Sequence, residues 1–185
     1  MSLNRLLLPT LTFQVTWFTT IWLACEKKAD LAALPGLIFM ISILVLMSKS
    51  NEDRQAHTLY IGIRWVLLGL CLGFLCERLL IYLGVFIPHE ESILGVPAWL
   101  LSLWGSLYLL IPYSMNRLMQ NTLLAILFGV LGAPISYLSG AKMGAMALGY
   151  DELTVGVYTG CAWGIAMALT SIFWRSIHHG ATHRT

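Results

Sequence analysis

The stretch from Thr58 to Pro88 reads TLYIGIRWVLLGLCLGFLCERLLIYLGVFIP. An α-helix needs about 20 apolar residues to cross the hydrocarbon core of a bilayer. This run exceeds that length, and its apolar residues do not alternate as a strand's would. It therefore predicts a membrane-spanning helix over about 59–87, tilted to fit, that ends before Pro88. Three charged residues interrupt it: Arg64, Glu77 and Arg78. On insertion scales a charged residue at the bilayer centre costs roughly 2.5–3.5 kcal/mol, so each needs a partner or a route to water.

The rest of the chain agrees with a membrane reading. It has 185 residues, 58% of them hydrophobic and 11% charged, with a mean hydropathy of +0.76. Soluble domains carry about 25% charged residues. The formal net charge of +2 includes no basic block, which argues against a nucleic-acid partner. The cysteines Cys25, Cys71, Cys76 and Cys161 form no CxxC pair. Neither a disulfide framework nor a zinc site follows, and they read as buried small hydrophobes.

Five further apolar segments complete an all-α, polytopic transmembrane bundle of about six spans. They cover about 6–25, 31–47, 95–112, 121–140 and 153–174, within a single integral membrane domain, 1–185. Pro35-Gly36 interrupts the second early. The N-terminal stretch resembles a signal sequence, with Arg5 as its charged head and "LAC" as a cleavage site. Trp22, however, stands where a small aliphatic residue belongs, and the segment exceeds a usual h-region of about 7–15 residues. It reads as a retained first span. No convincing internal repeat or soluble domain is visible, and strands are not expected.

With six spans both termini share one side. That side holds Arg5, Lys49, Arg54, Arg117, Arg175 and Arg184, against Lys27, Lys28 and Lys142 opposite. The excess places both termini in the cytoplasm. Trp99, Trp104 and Trp174 fall at segment ends and suit aromatic belts at the interfaces.

The candidate intramembrane polar site comprises Glu77, Arg78, Gln14 and Tyr137. Glu77 and Arg78 are neighbours, about 100° apart around a helix, so they point to different faces. Two placements remain open for the pair: an interface reached by tilt, or a polar site among helices. Arg64, near the start of its span, can reach the headgroups. Gln14 can hydrogen-bond across to another helix, whereas the threonines near it suit bonds to carbonyls one turn back. His89, Glu90, Glu91 and the C-terminal HHGATH suit solvated loops, and no metal site is nominated. Nor does any catalytic constellation or cofactor motif appear: HExxH, GxSxG and a phosphate-binding glycine loop are all missing from the sequence.

The fifth segment contains GAPISYLSGAKMGAM, from Gly132 to Met146. Gly132, Ser136, Gly140 and Gly144 recur every fourth residue. Helices in lipid associate by close backbone approach, which small residues permit, so the stripe suits a packed helix or a groove for a ligand. Pro134 within it removes a backbone hydrogen bond and frees a carbonyl.

GFLCERLLIYLGVF, PAWLLSLWGSLYLL and LLAILFGVLGAPISYLSGAKMGAM, with TFQVTWF near the N-terminus, resemble the DUF2878 family of bacterial inner-membrane proteins. The resemblance spans most of the chain and is most specific at Pro97, Trp99, Trp104, Gly132, Pro134, Tyr137, Gly140 and Gly144. The family often carries an aspartate near the position of Glu77, and a second Pro or Gly where Val96 and Ala133 stand here. It has no established activity. Its genes often lie beside those of lipid-modifying methyltransferases and flavin oxidoreductases. The resemblance therefore implies the bacterial inner (plasma) membrane, the lipid bilayer as environment, and lipid-modifying enzymes or other membrane proteins as partners. On this basis the chain is expected to be an accessory component near membrane-lipid modification. The alternatives are a small transporter or flippase-like protein with a polar path at Glu77 and Arg78, and a membrane-embedded lipid enzyme.

Overall fold

The computed structural model describes residues 3–26, 28–49, 55–89 and 94–179. Glu90, Glu91, most of the polar loop after Lys49 and the C-terminal tail lie outside them. The chain is essentially all-α. Helices α1 (Leu3–Cys25), α2 (Ala29–Ala32) and α3 (Leu34–Lys49) are followed by α4 (Gln55–Tyr82) and strand β1 (Phe86–Pro88). Then come α5 (Ala98–Leu110), α6 (Asn116–Met119), α7 (Thr122–Met143), β2 (Met146–Leu148) and α8 (Glu152–His179).

Among the described residues, three helices are long and apolar enough to cross a membrane: Leu59–Tyr82, Thr122–Met143 and Glu152–Ile177. The distribution of side chains is that of a membrane bundle. Leu67, Leu75 and Leu79 of α4, Leu131 and Ile135 of α7, and Ile165 and Ile172 of α8 face outward, while Glu77, Ser102, Ser106, Thr159, Thr170 and Ser171 are buried. Water would favour the reverse arrangement. Cys71 and Cys161 also lie on outer faces, which corrects their assignment to the interior. In lipid an outward cysteine incurs no penalty.

The third apolar segment ends earlier than its hydropathy implies. Gly84 takes φ 69° and stops α4, with Val85 N–H donating to the Leu80 carbonyl at 2.9 Å. This is a left-handed C-cap, which glycine adopts without steric cost. Phe86–Pro88 then pairs antiparallel with Met146–Leu148. The exclusion of strands is thereby corrected: three-residue strands are too short to show a period of two. The fourth segment forms a 13-residue helix, about 20 Å long. Of its residues only Ala98 is exposed, so α5 is a core helix enclosed by longer ones. The second segment is divided, α2 giving way to α3 just before Pro35.

Sequence inspection alone showed no repeat, but the structure contains one. α4–β1–α5 and α7–β2–α8 are the same unit, with equivalent residues 60 positions apart. Gly144 mirrors Gly84, with φ 96°, and Ala145 N–H donates to the Gly140 carbonyl at 3.0 Å. The inward face of α4 carries Trp65, Gly69, Gly73, Glu77 and Leu80, and that of α7 carries Ala125, Gly129, Ala133, Tyr137 and Gly140. The ladder pairs Ile87 with Ala147 at its centre; these two are themselves equivalent, so a pseudo-twofold axis passes between them.

Within each unit the two helices meet through small residues. A Cβ on Gly69 would lie 2.9 Å from the Trp104 carbonyl oxygen, and one on Gly129 would lie 2.6 Å from that of Trp163. Pro134 removes the donor to the Val130 carbonyl, and Gly160 packs there: a Cβ on it would stand 2.9 Å from that oxygen. The stripe inferred from the sequence is not this interface. Gly132 has open space on its Cβ side, Gly140 meets only Ile21 and Met146 side chains at 3.7 Å, and Gly144 serves its turn. Gly129→Ala should therefore destabilise the protein by about 1–3 kcal/mol, as overpacking does. Gly132→Ala should be neutral or slightly stabilising, because alanine is the better helix former. Thermal unfolding of the two variants in detergent decides the matter, and the opposite order would show that α7 and α8 meet elsewhere.

Candidate functional site

Two indoles, a phenol and a carboxyl meet where the repeated units face each other. Glu77 is fully buried on α4, five residues before the helix ends at Tyr82 and so about 8 Å from that end. Trp104 of α5 donates its indole N–H to Oε1 of Glu77 at 2.6 Å. Tyr137 of α7 donates its hydroxyl to the same oxygen. Trp163 of α8 donates its indole N–H to the Tyr137 hydroxyl oxygen at 3.3 Å. An indole N–H can only donate, so the direction of this chain is fixed and Oε1 is its acceptor. Oε2 of Glu77 is buried and has no hydrogen-bond partner among the described residues.

The cluster follows the pseudo-symmetry. Glu77 and Tyr137 occupy equivalent positions and bond to each other across the axis. Trp104 and Trp163 each serve the polar residue of their own unit and stack on each other, with ring centroids 3.9 Å apart. Phe86 packs on Tyr137 from the ladder side at 5.4 Å. The aromatic belt assigned to Trp99, Trp104 and Trp174 is corrected here: they are 3%, 1% and 6% exposed and belong to the core.

Glu77 lines a cavity of about 440 Å³ between α1, α5 and α7. Phe13, Trp17, Trp99 and Leu103 form much of its apolar wall. Phe18 and Ile135 also line it and are 57% and 67% exposed, so the cavity opens sideways between α1 and α7 toward the lipid. α1 and α7 approach near the ladder, where Ile21 touches Gly140. Gly132, Ser136 and Ser139 bring no bulk to the α7 wall, which leaves room for the opening.

The structure thus brings Glu77, Tyr137 and Gln14 to one cavity, with Gln14 exposed on its α1 wall. Arg78 is elsewhere: its side chain is exposed and lies against Gly95, where a Cβ would come within 2.4 Å of its guanidinium. Arg64 lies over the Tyr60 ring at 5.3 Å. Pro134 faces α8 beside Gly156 and Gly160. The α1 threonines Thr12, Thr16 and Thr19 donate to carbonyls one turn back, at 2.8–2.9 Å. Trp104 and Trp163 were not anticipated as polar partners. The signal that would have found them is the repeat, which places a tryptophan in each unit close to equivalent positions.

The model of the family described as "Protein of unknown function (DUF2878)" matches residues 6–169. The chain belongs to the DUF2878 family. No curated protein and no solved structure matches it. The match covers every residue lining the cavity, the first repeated unit, and the second up to Leu169, so the Glu77 cluster lies wholly within the DUF2878 region.

A buried carboxyl that loses its donors leaves polar atoms unsatisfied, at about 1–3 kcal/mol each. Tyr137→Phe removes one donor from Glu77 and the acceptor of Trp163, and should lower stability by about that amount. Glu77→Leu strands two donors at once and should cost more than Glu77→Gln, whose amide oxygen still accepts from both. Equal melting temperatures for all three variants and the parent would refute the network.

Proposed function

We propose that this multi-pass membrane protein holds one lipid-like molecule in the lateral cleft between α1 and α7, as an accessory component of membrane-lipid modification. One observation carries the reading: a fully buried carboxyl, with one oxygen lacking a donor, lines an apolar cavity that opens toward lipid. Ligand pockets are commonly apolar clefts of about 300–1,000 Å³ with a few polar groups that fix orientation. Here the apolar wall suits a hydrocarbon chain, and Glu77 supplies the polar group.

A transport reading has its own support. Small membrane transporters often place their site between internal repeats, near the axis that relates them. Glu77 and Tyr137 sit on such an axis. In that reading the cleft is one access route, and separation of the two units about the ladder opens the other. Glu77 and Tyr137 are also the residues a membrane-embedded enzyme would use, although no nucleophile or metal-ligand cluster accompanies them among the described residues.

The proposed setting is the bacterial plasma membrane with cytoplasmic termini. The ladder joins the α4–α5 and α7–α8 connections on one side, which carries Lys142 in a weak surface pair with Glu152 at 3.2 Å. Asp151 caps α8 there, its carboxyl held below the usual range by hydrogen bonds from the Thr154 side chain and backbone. Arg117 lies in α6 at the opposite end.

Gly132→Phe fills the cleft from a position with free space and should leave melting behaviour intact. Native mass spectrometry should then show the wild type carrying a co-purified lipid-sized molecule that the variant lacks. Identical spectra from both would sink the cleft as a binding site. Reporter fusions after Arg54 and Thr185 should read cytoplasmic, and one at Gly149 external. A periplasmic C-terminus would invert the orientation.

A further inference from the structure

The chemistry around Glu77 selects among lipid-like molecules. Both hydrogen bonds to the carboxyl fall on Oε1, from Trp104 and Tyr137, and the second oxygen has none. The neighbouring indole and phenol donors are committed, the Trp163 N–H to the Tyr137 hydroxyl, and the other polar side chains lining the cavity, Gln14, Ser136 and Ser139, are neutral. Charge is equally one-sided. No Lys, Arg or His lines the cavity among the described residues. Arg78, adjacent in sequence, turns away to Gly95.

A buried carboxyl is costly to ionise without a counter-charge, and neutral donors offset only part of that cost. A ligand with a carboxylate or phosphate head would place a negative charge in a cavity with no cation. A fatty alcohol would satisfy Oε2 but bring no counter-charge. A quaternary ammonium would bring charge and no donor. A protonated primary amine brings both, and the aromatic rings of Trp17, Trp99 and Tyr137, which line the cavity from α1, α5 and α7, suit a cation.

Resting on the cleft reading above, we propose that the cavity takes an amphiphile whose head is a protonated amine, its N–H donated to Oε2 of Glu77 and its hydrocarbon tail lying between α1 and α7. The same ammonium chemistry comes from a free long-chain amine or from an aminolipid headgroup.

The test uses the full-length protein in phosphatidylcholine nanodiscs. Dodecylamine, dodecyltrimethylammonium, dodecanol and dodecanoate are titrated against its tryptophan fluorescence, with Gly132→Phe as the baseline for partitioning into the disc. The amine should bind saturably. The other three should bind about tenfold more weakly or worse, since none of them combines a donor for Oε2 with a positive charge. Glu77→Gln should reduce amine binding by a similar factor, and the probe series on the parent protein stands whether or not that variant folds. Phosphatidylethanolamine in the discs distinguishes the sources: competition with dodecylamine marks an aminolipid, and its absence a free amine. Alcohol, acid or quaternary probe binding as well as the amine overturns the ammonium assignment while leaving the cleft intact. So does unchanged amine binding by folded Glu77→Gln. If no probe binds above the Gly132→Phe baseline, the cleft reading fails with it.

Discussion

A carboxyl group cannot be buried among membrane helices without donors, and much of this protein's core is arranged around that constraint. Glu77 sits on α4, but the groups that satisfy it come from α5 and α7, and Trp163 of α8 orients one of those. Four helices are thereby fixed in rotation about their own axes. Hydrocarbon contacts alone would not fix them, because leucine gains little by exchanging a lipid neighbour for a protein one. The polar cluster specifies the register, and the glycines at Gly69, Gly73 and Gly129 let the helices come close enough to form it.

The repeated unit explains how such a cluster arises with few parts. The first helix of each helix–strand–helix unit carries one hydrogen-bonding side chain on its inward face, Glu77 or Tyr137, and the second helix a tryptophan that donates to it. Two copies placed about the ladder bring the polar residues into contact and the indoles into a stack. The symmetry is broken where the chemistry is: one copy has a carboxyl, the other a phenol. α1 and α3 lie outside the repeat, and α1 makes the cavity one-sided by forming the wall opposite α7.

The cleft is lateral because of residue size as much as helix position. The α7 wall is small at Gly132, Ser136 and Ser139, while the aromatic residues of α1 and α5 line the remainder. Besides the Glu77 cluster, the polar lining of the cleft is neutral: Gln14 of α1 and Ser136 and Ser139 of α7.

The sequence by itself determined the solvent and the class of fold. The apolar run from Leu59 to Tyr82, the scarcity of charge and the lack of period-two alternation leave only a helical membrane bundle, because lipid forbids unsatisfied backbone. The resemblance to DUF2878 was legible in the motifs around Tyr137, and Glu77 stood out as a charge in an apolar run. Tertiary structure alone decided what these residues do. Hydropathy cannot distinguish a tryptophan at an interface from one buried beside a carboxyl, so Trp104 read as a belt residue. Periodicity cannot distinguish a small residue that admits a helix from one that leaves a cavity, so the stripe was read from Gly132 and the contact at Gly129 was missed. The repeat was hidden because the units share backbone geometry, turn glycines and burial pattern, and few side-chain identities. Fold symmetry depends on where the chain turns and which positions lie inward, and both are properties of the packed bundle.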